Sequence, residues 1–475
     1  MPKYASVNPR RKWNSRWLNG IVLLAFCVLV CATGGASRHD VVSLIVLRPL
    51  AVLALTYALI AGAAPLRGQP LPFWLLVGLA ALTGMQLIPL PPTFWPSLPG
   101  RDAVAAVEAA VGMPSHWRPL SLTPARTWNT LFSLAIPLAA FCLYRIQDPS
   151  VKAKVPLAIV LCGAASMLWG LAQLVGGLDS PFYHYRIHTQ DRPIGFFANR
   201  NHQAMFLALT ILFAGNVVGT ALQQATKRTP LVLTGLLGYV VLVLAFEFIL
   251  GSRGGLLLAV LAVAIISIIL TSSVKRRAGG VPLKTREGLP FAKIRRPWVI
   301  LAAVGTVLLL LFLAASAMNR NEALARMFES GDTARYDRMS VLPFLSEMLA
   351  DYFPWGSGFG SFDAVFRSYE TTDLLSTFYL NQAHNDWMQF VIEGGLPAAV
   401  LLFALAAWWA GTLRQVWRQP GKLIILSALP LMAIGSVYDY PLRVPIIMVV
   451  VVLAICLAAS GAEAVPDLPA RPKSR

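Results

Sequence analysis

Three consecutive stretches decide the fold: LVLTGLLGYVVLVLAFEFIL (231–250), GSRGG (251–255) and LLLAVLAVAIISIILTSS (256–273). Each apolar run is close to the roughly 20 residues that cross the hydrocarbon layer of a bilayer as a helix. Glu247 is the one charged residue in either run. Backbone in lipid must satisfy its own hydrogen bonds, so two such runs joined by a five-residue polar turn read as a helical hairpin with its turn at the membrane surface.

The rest of the chain repeats this pattern. Of 475 residues, 56% are hydrophobic and 13% charged, with a mean hydropathy of +0.63. Soluble domains carry about 25% charged residues, so a water-soluble enzyme is excluded. Twelve apolar runs are expected near 17–34, 41–62, 71–90, 126–146, 154–177, 203–222, 231–250, 255–273, 298–318, 388–411, 422–437 and 443–460. The fourth opens with Arg126, and the first turn of the tenth holds Glu393 and Gly394-Gly395. The first follows Arg10, Arg11, Lys12 and Arg16 as a signal peptide would, but further runs follow at once, so it is read as a retained span. The fold class expected is all-α: a polytopic integral membrane protein with about twelve transmembrane helices and one large outer loop, 319–387.

Charge sets the orientation. With the N-terminus inside, the inner segments hold 25 of the 40 basic residues, including all ten lysines, against four acids. The net charge of +18 is therefore a topology signal and no mark of nucleic-acid binding. The basic linker from Lys275-Arg276-Arg277 to Arg295-Arg296 is read as topology and contact with anionic lipid. No phosphate-binding GxxxxGK[ST] loop occurs. The five cysteines lie inside apolar runs and are read as small buried hydrophobes.

All six histidines fall on the outer side, and four outer segments there are unusually polar. These are Gly195-Phe-Phe-Ala-Asn-Arg-Asn-His202; Gly251-Ser-Arg-Gly-Gly255; Asp332-Thr-Ala-Arg-Tyr-Asp-Arg338 with Gly356-Ser-Gly-Phe-Gly360; and Asn381-Gln-Ala-His-Asn-Asp386. Each has a plain structural reading, since Asn and Gly favour turns and an arginine at a helix end can snorkel. Their convergence on one face points further. Arginine forks bind diphosphate in bidentate fashion, and helix N-termini at spans six and eight add amide donors for such an anion. Within the large loop, Val341–Phe353 reads as an amphipathic helix with Leu342, Leu345, Met348 and Leu349 on one face, lying on the membrane surface and capping what the helices enclose.

The ordered set GFFANRNH, GSRGG, an arginine followed by GSGFGSF, AHND before EGGLP, and Asp439-Tyr-Pro-Leu-Arg-Val-Pro445 resembles the O-antigen ligase and polysaccharide polymerase superfamily. The likeness runs from about 195 to 445; before it, only hydropathy and Ser121-Leu-Thr-Pro are similar. It implies a membrane glycosyltransferase with three parts: N-terminal helices over 1–190, a catalytic membrane domain over 191–460 that includes the periplasmic loop 319–387, and a cytoplasmic tail over 461–475. It also implies a bacterial inner-membrane location, with the reaction on the periplasmic side and no metal or other cofactor. The implied partners are a glycan donor on undecaprenyl diphosphate, an acceptor hydroxyl on a glycan, lipid A–core or protein, and the lipid bilayer.

Carried over by position, Arg253 and Arg338 would hold the diphosphate, with Arg200 nearby and Arg335 as the alternative to Arg338. His384 would be the general base, oriented by Asn385 or Asp386, with His202 beside Asn201 as its competitor. Unperturbed histidine titrates near neutrality, at about 6.5, which suits that role. Ligation, polymerisation and oligosaccharide transfer to protein all share these motifs. From another class, a twelve-span solute transporter is the rival, disfavoured because the spans hold few ions and the polar clusters lie outside them.

Overall fold

A computed structural model describes residues 9–62, 69–224, 229–279, 338–372 and 379–459. In chain order its helices are α1 (Pro9–Thr33), α2 (Ser43–Gly62), α3 (Leu71–Met85), α4 (Asp102–Ala110), α5 (Pro124–Ser133), α6 (Ala135–Arg145), α7 (Pro149–Lys152), α8 (Val155–Gly176), α9 (Arg200–Gln224), α10 (Thr229–Leu250) and α11 (Arg253–Gly279). After residue 337 follow α12 (Arg338–Tyr352), α13 (Phe362–Phe366), α14 (Asp386–Val416), α15 (Pro420–Leu426), α16 (Ala428–Gly435) and α17 (Pro445–Ala459). Two-residue strands β1 (Pro89–Leu90) and β2 (Arg118–Pro119) pair antiparallel, Pro89 opposite Pro119.

Among the described residues, eight helical stretches are long and apolar enough to cross a membrane: α1, α2, α5–α6, α7–α8, α9, α10, α11 and α14. Where three further crossings were expected, Leu71–Met85, Pro420–Gly435 and Pro445–Ala459 are shorter apolar helices. The expected run 298–318 lies outside the described residues, as do the tail over 461–475 and the loop segments 319–337 and 373–378. The bundle's rim is strongly apolar. Ile60, Val175 and Phe403 are 81%, 90% and 77% exposed, a surface that belongs in lipid rather than water.

Helix α9 is the axis of the bundle. From His202 to Gly219 every residue except Val217 is buried, as expected of a helix that is apolar on all sides. Helices α8, α10, α11, α15 and α17 pack around it. Gly219 permits the close approach of α15, because a Cβ there would come within 2.7 Å of the Gly421 backbone nitrogen. The Asn216 amide one turn earlier donates to the Gly421 carbonyl at 2.8 Å. One continuous apolar core joins α2 and α6 to α9 and α17. That core is continuous across position 190.

Helix α14 is broken near its first third. Gly395 takes φ +64°, Pro397 follows, and the freed carbonyls of Ile392 and Glu393 accept the Ser357 and Gly358 amides, each at 2.9 Å. The Leu396 amide donates back to the Pro354 carbonyl at 2.8 Å. The two glycine clusters that stood out in the sequence thus lock against each other. A side chain at Gly395 would meet the Pro354 carbonyl at 2.1 Å.

A second, smaller core lies under α12 and α13. It buries Val341, Leu345, Met348 and Tyr352 against Phe362, Phe366 and Ile392. The expected apolar face of α12 is therefore shifted: Leu342 is 38% exposed, and the i, i+4, i+7, i+11 stripe starts at Val341. That stripe is occupied by protein, since α12 packs on α14.

Candidate active site

Helices α9, α11 and α14 begin at the same end of the bundle, and each is capped by a motif residue. The Asn199 side chain accepts from the Asn201 amide at 2.8 Å, Ser252 from Gly255 at 3.1 Å, and Asn385 from Met388 at 3.1 Å. Capping explains why short polar residues stand there. It also sets three helix N-termini around one point.

That point is Asp439, in the turn between α16 and α17 and completely buried. Its Oδ2 accepts from the Asn201 side-chain amide at 2.9 Å, and its Oδ1 from the Tyr440 amide at 2.9 Å. His202 Nε2 lies 3.5 Å and His384 Nδ1 3.6 Å from the same Oδ1. Ser252 extends the network, donating to Asn201 at 3.0 Å. The Tyr440 ring meets both imidazoles edge-on, with centroids at 5.0 and 4.8 Å. Burial opposes ionisation of Asp439, but the His202 and His384 rings facing it outweigh this and hold its pKa well below the usual carboxylate range. Four of the motif segments, NRNH, GSRGG, AHND and DYPLR, therefore converge on one carboxylate.

The two histidines differ in access. The His202 side chain is 1% exposed and that of His384 29%, so only His384 can meet a substrate without rearrangement of the core. His384 also holds a left-handed backbone, φ +51°. A non-glycine residue in that region costs of order 1–3 kcal/mol and persists where its surroundings dictate it. The orienting partner differs from expectation. Asn385 caps α14 instead, and Asp386 accepts from Arg443 Nε at 3.0 Å and from the Leu442 amide at 3.2 Å. Arg443 in turn reaches Glu393 at 3.1 Å, tying the last turn to the broken part of α14.

Beside this network lies a cavity of about 340 Å³ with two kinds of lining. Arg38, His39, Arg48, Arg126 and Arg443, with the acids Asp363 and Glu393, make its charged lining; Leu76, Leu79, Leu402, Leu405 and Val452 are among its apolar lining. Ser37 lines it as well and faces the Tyr440 hydroxyl, which links the cavity to the histidine pair. Arg38 pairs with Asp40 at 2.7 Å, Arg126 with Asp363, and Arg443 with two acids. Arg48 is held by neutral groups, the Ser133 hydroxyl at 2.9 Å and the Asn129 carbonyl at 3.0 Å. A half-buried guanidinium with neutral partners leaves its charge for an incoming anion.

The arginines expected to hold the diphosphate are placed less completely. Arg253 is the exposed first residue of α11, next to Ser252 of the Asp439 network. Arg200 is the half-buried first residue of α9. Arg338 opens α12, its side chain lying outside the described residues, as does all of Arg335. Asp439, Arg443, Glu393 and the cavity arginines were not expected as site residues. The signal for Asp439 was a lone acid between two apolar runs, and for Arg48 a cation inside one. Among the described residues, no group of three His, Cys, Asp or Glu side chains is arranged to hold a metal ion.

The sequence model of the O-Antigen ligase family matches residues 238–403, which include GSRGG, GSGFG, His384 and the break in α14. Over these residues the chain is similar to the O-antigen ligase family. No curated protein matches the chain. Members of this superfamily are glycosyltransferase-like enzymes of the membrane, in keeping with the multi-pass helical bundle. Asp439, Arg48 and Arg126 lie outside the matched stretch, so their part in the site rests on the geometry alone.

Proposed function

We propose that the motif end of the bundle faces the periplasm of a bacterial inner membrane, and that the protein there transfers a glycan from undecaprenyl diphosphate to an acceptor hydroxyl. The observation that carries this reading is the partly exposed His384, backed by buried Asp439, beside a cavity lined both by arginines and by apolar side chains. A lipid diphosphate has the same two parts. Clustering of the polar groups at one end of the bundle, away from its middle, favours a transferase over a transporter.

With Nδ1 turned to Asp439, His384 Nε2 is the atom left for substrate. It takes the proton of the acceptor hydroxyl as that oxygen forms its bond to the anomeric carbon. The bond from the anomeric carbon to the diphosphate oxygen breaks on the opposite face, inverting the centre. Its electron pair leaves on the diphosphate. Asp439 stabilises the imidazolium that forms, as the buried aspartate of a catalytic triad does. Arg48 and Arg126 are assigned to the growing diphosphate charge from the cavity. Arg253, Arg200 and Arg338 are assigned to it from the helix N-termini, with Arg335 as the alternative to Arg338. Removing one such preorganised donor typically costs about 10²–10³ in rate.

The test uses the full-length protein in vesicles with a lipid-diphosphate-linked glycan. His384→Gln and His384→Ala should both lose nearly all transfer while still binding donor, because glutamine keeps a hydrogen bond but accepts no proton. Sustained turnover by His384→Gln would overturn the base assignment. Arg253→Lys retains charge without the fork and should remain strongly impaired. Absence of any transferred glycan with the wild-type protein, alongside uptake of a solute, would favour the transporter.

A further inference from the structure

On the other side of α13 from the basic cavity lies a larger cleft, about 770 Å³, with different chemistry. Phe362 and Asp363 of α13 face the cavity, whereas Ala364, Val365 and Ser368 line the cleft. Its aromatic and acidic lining comprises Trp95, Trp117, Tyr352, Tyr369, Asp102 and Asp351. Trp117 is 62% exposed. Tyr369 donates to Asp351 at 2.7 Å, which holds that carboxylate at the rim.

The walls are fixed by a built support. Arg101 is completely buried, and its guanidinium donates to the carbonyls of Pro99, Leu120 and Gly356 at 2.7, 2.7 and 2.9 Å. This clamps the segment carrying Trp95 and Trp117 onto the GSGFG loop, hence onto the broken α14 of the active site. Trp95 is further pinned by its indole bond to Pro119 at 2.9 Å and by the Arg118 guanidinium at 5.1 Å over its ring. Arg118 is itself paired with Glu108. Arg118 and His116 also line the cleft, Arg118 donating to His116 Nε2 at 2.8 Å, so the acids Asp102 and Asp351 outnumber its one guanidinium, which Glu108 already pairs.

The exposed Trp117 ring and the partly exposed Tyr369, beside carboxylate acceptors, suit a ligand with apolar C–H faces and a rim of hydroxyl donors. A pyranose has that form. Resting on the transferase reading, we propose that this cleft is a glycan-binding subsite for neutral sugars several units removed from the reacting bond, separated from the lipid-diphosphate cavity by α13. It would hold the distal part of a glycan whose reducing end lies near His384, and so favour long chains over short ones.

Binding can be read without turnover. Saturation-transfer NMR on the full-length protein in nanodiscs, with neutral gluco-, galacto- and N-acetylglucosamine oligosaccharides of four to six units, should show saturable contact to at least one series. Trp117→Ala and Asp351→Asn should weaken that contact at least tenfold, while His384→Ala leaves it unchanged. No saturable contact with any series, or contact indifferent to both cleft variants, overturns the proposal. Displacement of the sugar by a serine-rich peptide at lower concentration than by a second oligosaccharide would also overturn it, showing a protein acceptor there. If sugar binds as expected but wild-type vesicles transfer nothing, the transferase reading fails and the subsite stands.

Discussion

Replacing Asp439 by asparagine removes one charge from the centre of the site while keeping side-chain size. His384 Nδ1 lies 3.6 Å from the carboxylate, so at an effective dielectric of about 20 a developing imidazolium is stabilised by about 4–5 kcal/mol. Part of this is already offset in the ground state by the Asn201 and Tyr440 donors on the same carboxylate. A loss of about 10²–10³ in kcat is expected, smaller than the roughly 10⁴ that follows loss of the orienting acid of a catalytic triad. A second effect adds to the first. Asparagine presents an NH₂ group where the carboxylate accepted on both oxygens, so either Asn201 or Tyr440 faces a donor, and the amide can drive His384 into the tautomer whose Nε2 cannot take a proton. The assay is single-turnover transfer in vesicles at saturating donor, with protein level and thermal stability measured in parallel. Turnover within fivefold of wild type, in well-folded Asp439→Asn protein, would refute the role of Asp439 in catalysis and leave it as a structural link between α9 and the last turn.

Arg48→Gln keeps hydrogen bonds to Ser133 and Asn129 but removes the charge; a charge-assisted contact is worth about 1.5–3 kcal/mol, so kcat/KM for the lipid donor should fall about tenfold to a hundredfold at unchanged stability. Glu247 is fully buried in α10 with both carboxyl oxygens unpaired, so Glu247→Gln should leave the melting temperature equal or higher; a drop of several degrees would show that its charge is used. Gly395→Ala should sharply lower the yield of folded protein, whereas Gly411→Ala in the same helix, with open space at its Cβ position, should be neutral or stabilising by up to about 1 kcal/mol. Because the folded pKa of Asp439 is depressed, its contribution to stability is fully present above the unfolded carboxylate value of about 3.9 and is lost as pH falls through the lower folded value. The stability gap between wild type and Asp439→Asn should therefore narrow as pH falls below about 4, as followed by thermal melts from pH 5 downward.

The membrane fold was legible because hydrophobic runs are local. Any 20-residue window reports whether it suits lipid, and the hairpin over 231–273 is complete in itself. The polar turns were legible for a related reason: NRNH, GSRGG and AHND each supply the N-cap of the helix they precede, a local need visible in the residue types. Their meeting point was not local. Asp439 joins Asn201, 238 positions away, and the immediate neighbours of His384 were better candidates on distance along the chain than the carboxylate that faces it. Arg48 was legible only as a lone cation inside an apolar run for the same reason, since its partners Asn129 and Ser133 arrive on α5. The one-residue shift of the α12 stripe from Leu342 to Val341 belongs here too, because the face that is buried depends on where α13 and α14 stand. One inference was nonetheless open before any fold was known. An aspartate between two apolar runs cannot be left ionised in lipid without donors around it, and the chain offers few polar side chains on the face where its turn must emerge. That Asp439 must be answered by residues of the other motif turns follows from desolvation alone. Which histidine answers it on the exposed side depends on packing, through the burial of His202 behind Tyr440 and the strained backbone that turns His384 outward.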